Sequence, residues 1–571
     1  MRMYRPLITG DKGVVTSGHY LATAAGLKMF AKGGNAIDAG VAAGFALCVL
    51  KPHENSLGGE CPIMIYSPRE KNVVSISGQG VAPRKASVKW FKENDIGMIP
   101  GDGLLAATIP GLFGAYCMAL QKYGMLSLRE VMEPAFALAS KGFPVYEALR
   151  NSILHNQKRF REEWPSSAEI FLPGGKIPDV GQVLKQPRLA ETFRKLIEAE
   201  TCFLGNGREA AIEHSIDYFY KGDIAALALE FAKNTPVKDA TGKYNTTLLE
   251  MDDFILYRTR VEDPVHVEYK NFTVYKCGPW TQGPVFLQQL KLLEGFELRD
   301  MKLNTEHYIH IVTECAKLAF ADRETYYGDP RFSDVPLEKL FSREYNEAAR
   351  NNIDLLHANN IRKWQASGVH GDMGYIGDTT HLDVIDDEGF MISATPSGGW
   401  IPSSPVIPSL GFPLGTRAQV FNLKEGHPNC IQPGKRPRTT LTPSIAFRDG
   451  KPWMAFGTQG GDMQDQWTLQ FFLNIVEFGM NMQQAMDAPS FHTCHFSCSF
   501  YPHQVEEGVV FIEDGIDRDV LIKLQNMGHK LNLLPAGHNG QVCAVAINQK
   551  TGVLEGAASA KYDLQAYALG W

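Results

Sequence analysis

Ser367-Gly368-Val369-His370-Gly371-Asp372-Met373-Gly374-Tyr375-Ile376-Gly377-Asp378 runs directly into Thr379-Thr380-His381-Leu382-Asp383-Val384-Ile385. The first part has glycine at every third position and no proline or charge run, the composition of a flexible leash. The second part, Thr379 to Ile385, reads as a strand. Asp386-Asp387-Glu388-Gly389 is a turn, and Phe390 to Thr395 is the returning strand of a hairpin. A leash that ends on a hydroxyl residue has two readings: an ordinary loop feeding a strand, or a point of chain cleavage. Cleavage would have a chemical consequence. A threonine hydroxyl is a poor nucleophile unless a base sits beside it, and a cut before Thr379 frees an α-amino group able to be that base. Such an amine titrates near ~7.7–8, matched to neutral pH.

The common catalytic signatures are absent from the rest of the chain. There is no G-x-S-x-G, no H-E-x-x-H and no Walker A loop. His492, Cys494, His495 and Cys498 crowd together, but their spacing is not a standard zinc pattern, and packing is the favoured reading. We expect neither metal nor cofactor. An acyl-transfer nucleophile also needs amide donors for its oxyanion. Gly457-Thr458-Gln459-Gly460-Gly461-Asp462, following the apolar strand Trp453 to Phe456, supplies flexible backbone for that purpose or makes a tight strand-to-helix turn.

Further from this centre, Lys32-Gly33-Gly34-Asn35 separates two helices over residues 19–50, with Asn35 capping the second. That second helix is lined with Ala39, Gly40, Ala43, Gly44 and Ala46, small enough to pack closely on a sheet. Strands are predicted at Pro62–Tyr66, Glu268–Lys276, Ser444–Phe447, Trp453–Gly457 and Val542–Ile547, and helices at Arg188–Ala199, Pro284–Leu293, Thr305–Tyr327 and Trp467–Phe478. This mixture predicts an α/β protein with helix layers covering sheets.

The chain has 571 residues, 44% hydrophobic and 21% charged, with net charge −7. That balance argues against nucleic acid as a partner. The most apolar stretch, Ala36 to Leu50, is too short to span a membrane and contains Asp38, so we expect no membrane partner. Ten scattered cysteines and the lack of an apolar leader in Met1 to Gly13 fit a cytoplasmic protein.

Taken in order, these segments resemble the γ-glutamyltranspeptidase (glutathione hydrolase) family of N-terminal-nucleophile hydrolases. The resemblance is carried by Lys32 to Ala39, Leu57-Gly58-Gly59, Pro110-Gly111, Lys122-Tyr123-Gly124, Pro134-Ala135-Phe136, Ala319-Phe320-Ala321-Asp322-Arg323 with Gly328-Asp329-Pro330, Asp378-Thr379-Thr380-His381, Lys435-Arg436-Pro437 and Gly460-Gly461. It implies a four-layer αββα sandwich made as one precursor, cut between Asp378 and Thr379. The products would be a large subunit, 1–378, and a small subunit, 379–571, forming one domain as a heterodimer, with a dimer of heterodimers as the larger assembly the resemblance allows. It implies Thr379 as nucleophile, Ser397 as a hydroxyl bonded to it, Gly460 and Gly461 as oxyanion donors, and Thr439 and Thr440 in place of two carboxylate-binding serines.

The departures concern the substrate. Gln79 stands where the family has its glutamate-binding arginine, and Gly399 where it has an asparagine. Arg417-Ala418-Gln419-Val420-Phe421 replaces the acidic segment that holds the α-amino group. The expected substrate is therefore a small-molecule amide other than a γ-glutamyl one, as in the oxamate amidohydrolase and cephalosporin acylase branches, with a genuine γ-glutamyltransferase and an uncut, non-enzymatic member as the alternatives. Arg417 is either a carboxylate ligand or a solvated loop arginine. The proline-rich loop Trp400 to Gly415 either walls the pocket or lies on the surface.

Overall fold

The computed structural model describes residues 3–361 and 379–571. The leash 367–378, with Asp378, lies outside them.

Two seven-stranded sheets, antiparallel at every junction, form the centre. In one the spatial order is Tyr567–Gly570, Gly13–Ser17, Leu382–Asp386, Met391–Ala394, Ile63–Ser67, Asn72–Ser77, Arg260–Glu262. In the other it is Ile8–Gly10, Leu554–Ala558, Cys543–Ile547, Lys451–Gly457, Ser444–Arg448, Phe272–Lys276, Val265–Tyr269. Each sheet thus combines strands from both sides of Thr379.

Side chains alternate across a strand, and here the alternation sorts them into separate cores. Leu382 and Val384 of the strand that follows Thr379, with Val15, Ile63 and Ile65, face a helical layer. Ile385, Val14, Met64 and Tyr66 face the other way, meeting Ile445, Ala455 and Val545 of the second sheet. Met454 and Phe456 then face a second helical layer containing Phe286, Leu290 and Phe472. The order helix, sheet, sheet, helix is the expected αββα sandwich.

The helix Ala36–Leu50 is buried along its whole length against the first sheet. Its close approach depends on glycine: a Cβ on Gly40 would lie 2.7 Å from Ile392. Asn35 and Asp38 form a reciprocal cap, and Gly33 turns the chain with φ +82°. The single strand expected over Glu268–Lys276 is instead a hairpin, Val265–Tyr269 and Phe272–Lys276, paired Tyr269 to Phe272. Its two-residue turn is Lys270-Asn271, with Lys270 at φ +56° and no glycine or proline to mark it. The loop after Trp400 is buried, with Val406, Ile407, Leu410, Phe412 and Leu414 joining the first helical core. Among the described residues, no helix is long and apolar enough to cross a membrane.

Candidate active site

Thr379 sits just before the strand Leu382–Asp386 and is 1% exposed. It makes an isolated antiparallel bridge to Ser397, and the Thr380 N–H donates to the Pro396 carbonyl at 3.1 Å. This pairing brings the two hydroxyls together, with 3.2 Å between Thr379 Oγ1 and Ser397 Oγ. Ser397 is itself fixed by two backbone hydrogen bonds exchanged with Glu60, at 2.8 and 2.9 Å.

Arg417 completes this corner. Its Nη2 donates to Ser397 Oγ at 2.8 Å, and its guanidinium pairs with the Glu60 carboxylate. The group lies 4.9 Å from the Trp400 ring and 5.4 Å from the Phe500 ring. Nη1 is buried with no hydrogen-bond partner among the described residues. Burial raises the pKa of the Glu60 carboxyl, and the adjacent Arg417 charge works against that rise.

The glycine loop approaches from the second sheet. Strand Lys451–Gly457 ends against His381: a Cβ on Gly457 would lie 2.2 Å from its ring. Gly460 has φ +118° and Gly461 φ +54°, conformations that L side chains rarely adopt. Their N–H groups have no acceptor among the described residues. The loop is anchored from beneath. Asp462 pairs with the fully buried Arg323 and accepts the Ser499 N–H at 2.8 Å. Gln282 Nε2 donates to the Asp462 carbonyl at 3.1 Å, while Gln282 Oε1 accepts from Arg323 at 2.8 Å.

Gln282 also joins this loop to the two threonines, because its N–H donates to the Thr439 carbonyl at 2.9 Å. Thr440 Oγ1 and Gln79 Oε1 are both buried without a partner among the described residues. Gln79 follows strand Asn72–Ser77, whose end is held by Arg436. That residue donates to Ser77 Oγ and Glu262 at 2.8 Å each and to Asp329 at 3.0 Å. Gly399 is at φ +62°, and a Cβ there would lie 2.1 Å from Ser56 Oγ, so no side chain fits.

No sequence pattern assigns a role to Glu60, Gln282, Arg323 or Asp462. The signal for three of them is adjacency, since Arg323 and Asp462 fall within the Ala319–Arg323 and Gly457–Asp462 segments and Glu60 directly follows Gly58-Gly59. The cluster after Phe491 does not converge. His492 Nδ1 accepts the Trp467 indole N–H at 3.3 Å, whereas His495 Nδ1 accepts the Gly508 N–H at 3.0 Å. Among the described residues the grouping that meets metal-ligand spacing lies elsewhere, at His310, Glu314 and His529. There the two imidazoles hydrogen-bond each other at 2.8 Å and Glu314 is engaged by Lys317 at 2.7 Å.

Residues 22–569 match the gamma-glutamyltranspeptidase family. The glutathione hydrolase proenzyme of Bacillus subtilis (strain 168) is 30% identical over 97% of this chain and 91% of its own length. The acylase ACY 1 proenzyme of Pseudomonas sp. (strain SE83) is also 30% identical, over 97% of this chain and 93% of its own. Among solved structures, LmbA2991HD superposes with TM-score 0.95 at 40% identity, covering 100% of both chains. The cephalosporin acylase from Bacillus halodurans superposes with TM-score 0.84 at 26% identity, covering 100% of this chain and 98% of its own.

Proposed function

The chain belongs to the gamma-glutamyltranspeptidase family of N-terminal-nucleophile hydrolases, and we propose that its substrate is a non-glutamyl amide, with oxamate the simplest candidate. We assign self-cleavage to the Asp378–Thr379 bond, giving subunits 1–378 and 379–571. The freed α-amino group of Thr379 then takes the Oγ1 proton as Oγ1 attacks the amide carbon. The N–H groups of Gly460 and Gly461 face the developing oxyanion. The C–N bond breaks, the proton passes to the leaving amine, and an ester on Thr379 remains. Water, deprotonated by the Thr379 α-amino group, attacks that ester, and the proton returns to Oγ1 as the acid is released. Ser397 holds Thr379 Oγ1, and Arg417 holds Ser397.

The observation that carries the substrate assignment is the buried Gln79, 1% exposed with its side-chain oxygen unpartnered, where a γ-glutamyl carboxylate would need a cation. Gly399 cannot bear a side chain, and Arg417 is neutralised by Glu60. A zwitterionic glutamyl head would forgo charge-assisted bonds worth about 1.5–3 kcal/mol each. Thr439, Thr440, Gln79 and the Arg417 Nη1 remain as ligands for a smaller acyl group: hydroxyls and one unpartnered guanidinium N–H can hold a single small carboxylate such as that of oxamate, with no acidic segment for an α-ammonium group. The resemblance to an acylase over nearly the whole chain supports the same reading.

A denaturing gel with N-terminal sequencing tests the cleavage. Two fragments meeting at Thr379 are expected from the native chain and a single chain from Thr379→Ala. A panel of oxamate, glutaryl amides and glutathione on processed enzyme tests the substrate. Turnover of glutathione in preference to the others would overturn the assignment.

A further inference from the structure

A cavity of about 460 Å³ opens directly onto the glycine loop, with Gln459 and Gly460 among its lining residues. Nothing in the proposed acyl-binding set reaches it. Its walls are Met463, Trp467, His492, Phe511 and Leu534. The His492 ring stacks on Phe511 at 4.9 Å and 6°, and meets Trp467 edge-on at 5.3 Å. Burial pushes the His492 pKa down to about 3, so this wall is an uncharged aromatic surface at neutral pH. No lysine or arginine is among the lining residues, and Glu506 is the one carboxylate. Two acceptors lie within its wall: the side-chain oxygens of Gln459 and Asn539 are buried and unpartnered among the described residues, the two residues are 3% and 2% exposed, and a small turn of either amide would present its oxygen to a ligand. At the opposite end Asn532, His538 and Tyr562 are exposed.

We infer that this cavity is the leaving-group subsite, and that it takes a neutral, planar aromatic amine bearing N–H or O–H donors. The inference rests on the amide-hydrolase reading above. Its direction follows from the order of events. The amine must depart before water can attack the Thr379 ester, so the side of the scissile bond that opens to solvent is the amine side. Gln79, Thr439, Thr440 and Gly399 are buried and belong to the acyl side. Aromatic walls favour a flat ring by stacking, and the two unpartnered amide oxygens favour donors over acceptors on that ring.

The test uses processed enzyme and two probes at pH 8, the neutral aromatic 5-aminoindole and the saturated, protonated cyclohexylamine, titrated by ligand-observed NMR. Saturable binding of 5-aminoindole is expected, with cyclohexylamine binding more weakly. Trp467→Ala and the half-exposed Leu534→Asp should each weaken 5-aminoindole by about tenfold or more. Leu534→Asp matters because Trp467 also packs against Gly460. In parallel, the kcat/KM ratio of N-phenyl oxamate to oxamate should fall in both variants. Absence of saturable 5-aminoindole binding, binding unchanged in both variants, or equal binding of cyclohexylamine would overturn the inference. Failure to turn over either oxamate counts against the oxamate assignment alone, because the binding titration decides the cavity independently.

Discussion

Replacing Arg417 by glutamine separates two things this residue does. Its Nη2 donates to Ser397 Oγ at 2.8 Å, and Ser397 in turn lies 3.2 Å from the nucleophile. A hydrogen bond from a charged donor is worth about 1.5–3 kcal/mol, so losing Ser397's orientation should slow self-cleavage and turnover by roughly ten- to a hundredfold. Separately, Glu60 is left buried without its cation, the two side chains being 2% and 1% exposed in the pair. Breaking such a pair costs about 3–5 kcal/mol of stability. The two effects part in the double variant Glu60→Gln with Arg417→Gln. It removes the orphaned charge, so it should recover most of the stability while the rate stays low. Urea denaturation reports the first quantity; fragment appearance on a gel and single-turnover rates report the second. In Arg417→Gln the folded-state pKa of Glu60, already raised by burial, rises further. The folded state then holds its proton to higher pH than the unfolded state does, so the stability deficit should deepen as pH rises above the ordinary glutamate range. Wild-type cleavage and turnover in Arg417→Gln, or a slow rate that the double variant repairs, would refute the reasoning.

Gly460→Ala places a methyl 2.1 Å from the Trp467 ring at φ +118°; the displaced loop should lower kcat about 10²–10³-fold, measured on processed enzyme. Gly40→Ala pushes a methyl to 2.7 Å from Ile392 in the hairpin partner of the nucleophile strand, and should cost about 1–3 kcal/mol by denaturant titration with the site chemistry intact. Asp386, whose carboxylate accepts the Ala36 N–H at 2.7 Å and the Phe390 N–H at 2.9 Å, has its pKa raised to about 6 by burial. The folded state therefore binds the extra proton, and this group's contribution falls as pH rises from about 4 to 6, by up to about 3 kcal/mol. Melting curves across that range should show the slope in the native chain and lose it in Asp386→Asn.

The sequence was most legible where local chemistry alone determines structure. Gly33-Gly34-Asn35 ends one helix and caps the next through bonds within four residues, and the acidic turn Asp386 to Gly389 closes its hairpin locally. Strand Gly13–Ser17 escaped notice because five residues of Gly-Val-Val-Thr-Ser carry no alternation; it is buried on both faces. The Lys270-Asn271 turn carries one asparagine and neither glycine nor proline, too weak a signal to break the apparent strand. At the site, Thr379 and the glycine loop can be nominated from sequence because each belongs to one continuous segment. The Glu60–Arg417 pair spans 357 residues and the Arg323–Asp462 pair 139, and no local pattern encodes which buried charges meet.

The mixing of strands from both sides of Thr379 changes what the precursor is for. Strand Leu382–Asp386 lies between Gly13–Ser17 and Met391–Ala394, while Tyr567–Gly570 pairs with Gly13–Ser17 at the sheet's edge. As one chain these strands find each other at the modest entropic cost of closing a loop. Once the leash is severed, the same assembly would require two molecules to meet and interleave, a step that slows with dilution. The proposed cut would therefore make refolding bimolecular, and the lifetime of the cut protein would be set by its unfolding barrier rather than by refolding.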